Sequence, residues 1–367
     1  MQTTKPNYAY GIYEVGNRIF LNKSEALYHA TQTKQTVTWD FHNDTYGAYD
    51  WSIRPSGTLR DIYRQRAQQI RDTYDYVVIY FGGGADSWTA LHSFLSNGIH
   101  VDEIYSRWAF TEEKYKPVNN VDRRQFNLHS EYEYATLPVL KDIEKRFPKT
   151  KITIDDYSND YIDDVDEQLL SKGGHYTTLG TFHRFCKKSD LEQQAVKQGK
   201  SVGVVHGFDK ILYCLEDNQM YAYFVDRFAG TDLDPDRSIE GFFWTKNMPE
   251  IPIMQAHEVK QYYQLHPELN LNEFKRKIYC SICYPDWNVD TFQVGKPLGS
   301  EIWASEAWVY EFNPRYVQSW KWALNQYMDK IDTEFCEYYQ DSKKFRTGYK
   351  PMKSPLYRIG TFVTVDN

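Results

Sequence analysis

Cysteine is scarce in this chain, with five residues in 367. The odd count, at Cys186, Cys214, Cys280, Cys283 and Cys336, does not describe the disulfide framework of a small secreted protein. Long apolar runs are missing as well: no window approaches the roughly 20 consecutive apolar residues that span a bilayer. Met1 to Tyr10 holds no apolar core behind a basic stretch, so a signal peptide is not expected. Positive charge is in deficit, with 43 Lys and Arg against 50 Asp and Glu and a net charge of −7. Nucleic-acid binders draw most of their affinity from neutralising phosphates, so the charge gives DNA or RNA no support as an obligatory partner. Internal repeats and low-complexity tracts are also lacking. These absences point to a reducing cytoplasm and to no membrane partner.

Aromatic residues are abundant instead, at 17% of the chain and including 31 tyrosines. Tyrosine buries a large ring and keeps a polar tip, so one residue type can build both core and pockets. Packing is the expected use, ahead of base stacking. A composition of 41% hydrophobic and 25% charged residues describes a folded globular chain. Its length suits one large α/β domain with additions, or two ordinary domains.

Tyr10–Val15 and Arg18–Leu21 alternate and predict strands or a hairpin within a small N-terminal extension, residues 1–58. Leu59–Tyr74 predicts an amphipathic helix, with Ile62, Ala67 and Ile70 on one face and arginines over the other. Tyr76–Phe81 (YVVIYF) is a continuous apolar run, the pattern of a strand buried on both faces of a parallel sheet. GGGADS follows at once, and Trp88–Leu95 has helical spacing. Ile99–Trp108 and Thr150–Asp155 predict the second and third strands, and His129–Phe147 a helix with Pro138 as an early interruption. Ser189–Gln198 predicts a helix and Ser201–Gly207 a further buried strand. This alternation argues for an α/β fold with a doubly wound parallel sheet over residues 59–245. Beyond that, Ala256–His266 and Glu306–Ile331 predict a mostly helical C-terminal region, 246–367, whose aromatic second helix offers a surface to a second copy of the chain. The acidic run Asp155–Asp166 is expected to be a solvated loop.

A strand running straight into GGGADS and then into a helix is a phosphate-site arrangement. Gly82, Gly83 and Gly84 have no Cβ, so the backbone can take left-handed angles and an anion can approach the main chain. Inward-facing amides make an anion nest, and the following helix adds its positive end. Ala85 continues the loop, Asp86 can hold Mg²⁺ or cap the helix, and Ser87 can donate a hydroxyl. The commoner P-loop fits poorly, because this loop has no lysine. The bland alternative is a glycine-rich turn without a ligand.

Gly82–Ser87 resembles the SGGxDS signature of the PP-loop superfamily, the N-type ATP pyrophosphatases. That group includes asparagine synthetases, GMP synthetases and tRNA-thiolating enzymes, with phosphoadenylyl-sulfate (PAPS) reductases as relatives. Gly83, Gly84, Ala85, Asp86 and Ser87 match it, whereas Gly82 stands where the family usually has serine. Losing that hydroxyl removes a donor typically worth about 0.5–1.5 kcal/mol and leaves the backbone nest in place. His183–Leu191 (HRFCKKSDL), a strand, and then Gly207–Lys210 (GFDK) resemble a region of PAPS reductase-like proteins. On that likeness Arg184, Lys187 or Lys188, and Lys210 neutralise polyphosphate, and Asp209 is a second candidate Mg²⁺ ligand. Lys210 carries the most weight, because it lies just past the end of a predicted sheet strand.

The chain is also similar to asparagine-synthase-like proteins of tailed phages, in RAQQIRDTYDYVVIYFGGGADS, in YAYFVDRFA at 221–229 and in YPDWNVDTFQVGKP at 284–297. A phage origin would put it in the host cytoplasm. The superfamily resemblance implies a sheet of the adenine-nucleotide alpha-hydrolase-like kind, and adenine near Tyr105, Ser106 and Arg107. It implies a ligase-like reaction in which ATP and Mg²⁺ adenylate an unidentified acceptor with release of pyrophosphate, before an amide, amine or related bond forms. Two alternatives stay open: sulfur transfer resembling PAPS reductase, and a nucleotide-binding protein that has lost catalysis. Gln2 after Met1 is not the cysteine nucleophile of glutamine-dependent asparagine synthetases.

Cys280 and Cys283 have the spacing of a metal knuckle, and Cys186 with Cys214 could complete a zinc or iron–sulfur site. A lone CxxC carries little specificity, and a thiol pair buried among aromatics is the expected reading. His175 follows two glycines in a predicted loop, and a core or surface role is expected for it.

Overall fold

The computed structural model describes residues 9–21, 26, 29–30, 32–108, 132–156, 188–207, 210–226, 236–266, 268–269, 276–287 and 352–362. Arg184, Lys187, Asp209, His175, Cys186, Cys336, the expected 306–331 helix and nearly all of the acidic run lie outside the described residues.

The N-terminal alternation folds as expected into a hairpin. Strands β1 (Ile12–Val15) and β2 (Arg18–Phe20) pair antiparallel, and β3 (Val37–Asp40) adds to the other side of β1. A short helix α1 (Asn43–Gly47) follows. Helix α2 (Leu59–Thr73) starts at a capping box, in which the Thr58 hydroxyl accepts from the Asp61 amide and the Asp61 carboxylate accepts from the Thr58 amide.

Arg66 of α2 departs from the expected outward arginines. It is buried against the core, donating to the Glu240 carboxylate at 2.5 Å, to Gln69 at 2.7 Å and to the Gly241 carbonyl at 2.9 Å. A guanidinium has five donors in a fork, so several acceptors can offset its loss of water.

Next in order come β4 (Tyr76–Tyr80), α3 (Ala85–Leu95), β5 (Glu103–Trp108), a π-helical turn at Tyr132–Thr136, α4 (Leu137–Arg146), β6 (Lys151–Asp156), α5 (Asp190–Lys197) and β7 (Val202–His206). After β7 lie the antiparallel pair β8 (Leu212–Glu216) and β9 (Gln219–Tyr223), then β10 (Ser238–Gly241). Strands β10-β7-β4-β5-β6 form one parallel sheet in that spatial order. Val77 and Ile79 of β4 face the main core with Ile62, Ala67 and Ile70 of α2 and Ala90 and Phe94 of α3. Tyr76 and Val78 face the other way, onto Ala195 of α5 with Val202 and Val204. The continuous apolar run of β4 is therefore buried on both faces, and helices flank the sheet on both sides. This is an α/β fold compatible with a doubly wound sheet.

Several elements differ from the sequence expectation. The second strand begins at Glu103, because Ile99 and Val101 belong to the turn after α3. Pro138 stands where the π-helical turn gives way to α4, so the helical run changes register close to the expected interruption. Helix α6 (Glu250–Leu265) starts six residues before Ala256, since Ile251–Met254 are themselves buried. Helix α7 (Arg276–Cys283) and strand β11 (Tyr357–Thr361) were not foreseen.

β11 pairs with β9, and the last turn of α7 packs onto α2, where the Tyr63 hydroxyl donates to the Cys283 carbonyl at 2.8 Å. The abundant aromatics fill the core around these additions: Trp51 stacks on Tyr357 with centroids 4.5 Å apart, and Phe224 lies 4.6 Å from Tyr46 and 4.7 Å from Phe41. Among the described residues no helix is long and apolar enough to cross a membrane.

Candidate functional site

The glycine loop leaves the carboxyl end of the central strand, β4, and turns into α3. Gly83 has φ +77°, and a Cβ there would collide with the Thr136 hydroxyl and lie 2.7 Å from the Thr136 amide nitrogen. Glycine is therefore required at 83 both by its backbone angle and by the close approach of the π-helical turn. Thr136, fully buried, donates its hydroxyl to the Gly82 carbonyl at 3.0 Å. The loop also closes on itself, with the Gly82 amide donating to Ser87 Oγ at 3.3 Å and that hydroxyl donating to the Gly84 carbonyl at 3.2 Å. Gly84 is the N-cap of α3 and brings no side chain to cap it, so the helix opens on backbone amides.

The chain reaches the same place again after β7. Gly207 packs directly on the loop: a Cβ there would lie 2.6 Å from the Asp86 carbonyl oxygen and 2.8 Å from Ser87 Cα. Three residues on, Lys210 donates its ammonium to Asp86 Oδ1, and the Tyr284 hydroxyl donates to the same oxygen. All three side chains are buried. The Lys210 ammonium also lies 5.5 Å from the Tyr284 ring centroid and 5.9 Å from that of Tyr279. Burial first, and the Asp86 charge second, push the Tyr284 hydroxyl well above its ordinary pKa, so it remains a donor.

This meeting point has a topological reason. From β4 the sheet runs one way through β5 and β6 and the other way through β7 and β10. The strand order therefore reverses between β4 and β7, and the loops after them lie side by side at the carboxyl edge, where ligands of open parallel sheets bind.

Of the other expected residues, Tyr105 and Arg107 share one face of β5 and converge on Asp155, whose Oδ2 accepts from the Tyr105 hydroxyl at 2.8 Å and from Arg107 Nε at 2.7 Å. Ser106 is buried on the opposite face, as strand alternation requires, so the three residues do not form one surface. Lys188 pairs with Asp236 at 3.1 Å. Cys280 and Cys283 are buried, and Cys283 lies in a core with Tyr63, Tyr213, Tyr279 and Tyr284. Burial raises its thiol well above the usual range.

Thr136 is a member of this site that the sequence did not single out; Gly207 and Tyr284 fall in segments it did, GFDK and 284–297, but without the contacts they make here. A cavity of about 340 Å³ between α3 and α4, lined by Trp88, Leu91, His92, Val139 and Ile143, lies along the helices and not at the strand ends.

A Mg²⁺ ion takes oxygen ligands, commonly one or two carboxylates plus phosphates of a bound nucleotide. Asp86 fits the protein's share of such a set: it is a carboxylate in the first turn of α3 beside the glycine loop, and it already draws a cation, the Lys210 ammonium. Among the described residues no three metal-binding side chains cluster, so a dedicated cage has no basis there. Comparison with protein-family models, with curated proteins and with solved structures gives no match to this chain.

Proposed function

We propose that the chain is an ATP pyrophosphatase, with a fold of the adenine-nucleotide alpha-hydrolase-like kind, that adenylates an acceptor. One observation carries the reading. A lysine from beyond β7 meets the acid of a glycine loop beyond β4, at the point where the strand order diverges. Backbone amides of the loop and the start of α3 would bind the β- and γ-phosphates. An acceptor oxygen attacks the α-phosphorus, the bond from that phosphorus to the bridging oxygen breaks, and pyrophosphate leaves into the nest. A nitrogen or sulfur nucleophile then displaces AMP. Lys210 would move from Asp86 to the growing negative charge on the departing pyrophosphate. Mg²⁺, held by Asp86 and the phosphates, would supply further charge neutralisation. Ser87 and Thr136 would keep the loop in shape while this happens.

Gly82 supports a second reading, nucleotide binding without turnover, because it brings no hydroxyl to the loop. Sulfur transfer needs a reactive thiolate, and the burial of Cys283 argues against that residue in the role.

Incubation of the protein with Mg-ATP and pooled amino acids or a metabolite extract tests the proposal. AMP and pyrophosphate are expected, and Asp86→Asn is expected to abolish pyrophosphate release at a temperature where a melt shows the variant still folded. ADP and phosphate would mean the wrong bond, and ATP binding without turnover would select the binding-only reading.

A further inference from the structure

Tyr284 belongs to a segment, Tyr284-Pro285-Asp286-Trp287, that stands far from the glycine loop in sequence yet ends against it. The segment is fastened from outside. Arg60 of α2 holds Asp286 with two bonds, Nε to Oδ2 at 3.1 Å and an Nη to Oδ1 at 2.5 Å. His92 Nε2 of α3 approaches the same carboxylate at 3.5 Å. Asp286 itself has φ +68°, a left-handed angle that aspartate takes more readily than most residues with a side chain. The Trp287 amide closes the turn on the Tyr284 carbonyl at 3.2 Å, and its ring lies 5.7 Å from that of Trp88, the residue after the loop. On the inner side the Tyr284 ring stacks on Phe243 at 5.1 Å. Ring and backbone are thus fixed independently of Asp86, and the hydroxyl is carried to the carboxylate by them.

We infer that Tyr284 is a positioning residue of the nucleotide site: its hydroxyl fixes which way the Asp86 carboxylate presents its oxygens to a nucleotide-bound divalent cation. The inference rests on the proposed nucleotide reading of the loop. A purely packing role would use the ring alone, and phenylalanine would serve as well. The hydroxyl shares Oδ1 with Lys210, so when the ammonium leaves for a phosphate, Tyr284 still holds the carboxylate by that atom. Rotation of the carboxylate is then blocked at the moment when the cation needs a fixed ligand.

The experiment compares ATP affinity with and without Mg²⁺ for the wild type, Tyr284→Phe, Asp86→Asn and the double variant, beside a thermal melt of each. Tyr284→Phe should weaken ATP binding about tenfold with Mg²⁺ and less than about twofold in EDTA. The double variant should bind like Asp86→Asn alone, because the hydroxyl acts through that carboxylate. Arg60→Gln loosens the turn from the solvent side without opening the core, and should move the same ratio in the same direction by a smaller factor. An unchanged ratio in both Tyr284→Phe and Arg60→Gln, with the Asp86→Asn ratio altered, overturns the inference and leaves the nucleotide reading standing. A wild type that binds no ATP overturns both.

Discussion

Gly207 and Asp86 touch backbone to backbone: the end of β7 comes so close to the glycine loop that no side chain fits between them. The contact locks the two loops of the site together before any side chain is considered. Gly207→Ala would place its Cβ 2.6 Å from the Asp86 carbonyl oxygen, and neither backbone is the free end of a flexible group. The expected result is a loss of about 1–3 kcal/mol in denaturant unfolding, with weakened ATP binding. Wild-type values for both would mean that the contact is not rigid.

Lys210 and Asp86 form a buried pair, and removing one partner strands the other. Lys210→Met should destabilise the protein by about 3–5 kcal/mol, because it takes the ammonium away from a buried carboxylate that accepts from it. Adding Asp86→Asn to that variant should recover part of the loss, since a neutral amide is cheaper to bury than an unmatched carboxylate. Denaturant midpoints of the three proteins measure this; a double variant no more stable than Lys210→Met would refute it.

Two further acids lie where α5 meets the sheet, Glu103 on β5 and Glu192 on α5 itself. Glu103 accepts from Tyr76, Thr153 and Ser189, and Glu192 pairs with Arg237 at 2.9 Å. Burial is the largest influence on each and raises both above the ordinary 4.5, with hydrogen bonds at Glu103 and Arg237 at Glu192 opposing it. The folded chain therefore holds these protons more tightly than the unfolded one. Their stabilising contribution is complete below the unfolded value and is lost as pH rises through the raised folded values. Glu103→Gln cannot titrate, so the stability of that variant relative to wild type should grow as pH rises from about 4.5 toward neutrality. Urea midpoints at a series of pH values give the difference, and a pH-independent difference would contradict the shift.

Cys283 should resist alkylation at neutral pH. Its thiol is fully buried and shifted upward by that burial, so both access and thiolate are lacking. Peptide mapping after iodoacetamide should find it labelled only once denaturant is present. Labelling of the native protein would contradict its position in the core.

The loop was legible because its parts are consecutive: strand, glycines, acid, serine and helix all fall within Tyr76–Leu95. Lys210 was legible from its place after an apolar strand. No sequence pattern assigns a role to Tyr284 or Thr136, since a tyrosine in an aromatic-rich chain and a threonine before a proline-containing helix look like their neighbours. Their roles arise from approach across 198 and 54 positions respectively. The edge strand β10 was missed for a related reason. Its four residues, SIEG, are too short and too polar to stand out, and they become a strand by pairing with β7. The β8–β9 hairpin carried a local signal that was overlooked, Asp217-Asn218, both at positive φ as a two-residue turn demands. The outward reading of Arg66 failed because periodicity marks polarity and not the presence of Glu240 opposite.

The N-terminal hairpin is joined to late parts of the chain, through Tyr13 and Asp226 at 3.0 Å and through Tyr10 and His206 at 3.0 Å. A ribosome adding residues one by one exposes this hairpin long before either partner exists. The central strand β4 likewise waits for β7, which emerges more than a hundred residues later. The sheet therefore cannot close until β7 and β10 have been made, and loop-closure entropy over such spans makes that step slow. A nascent chain halted before Asp226 would leave an apolar strand and its aromatic neighbours without cover, a form that chaperones bind and proteases cut.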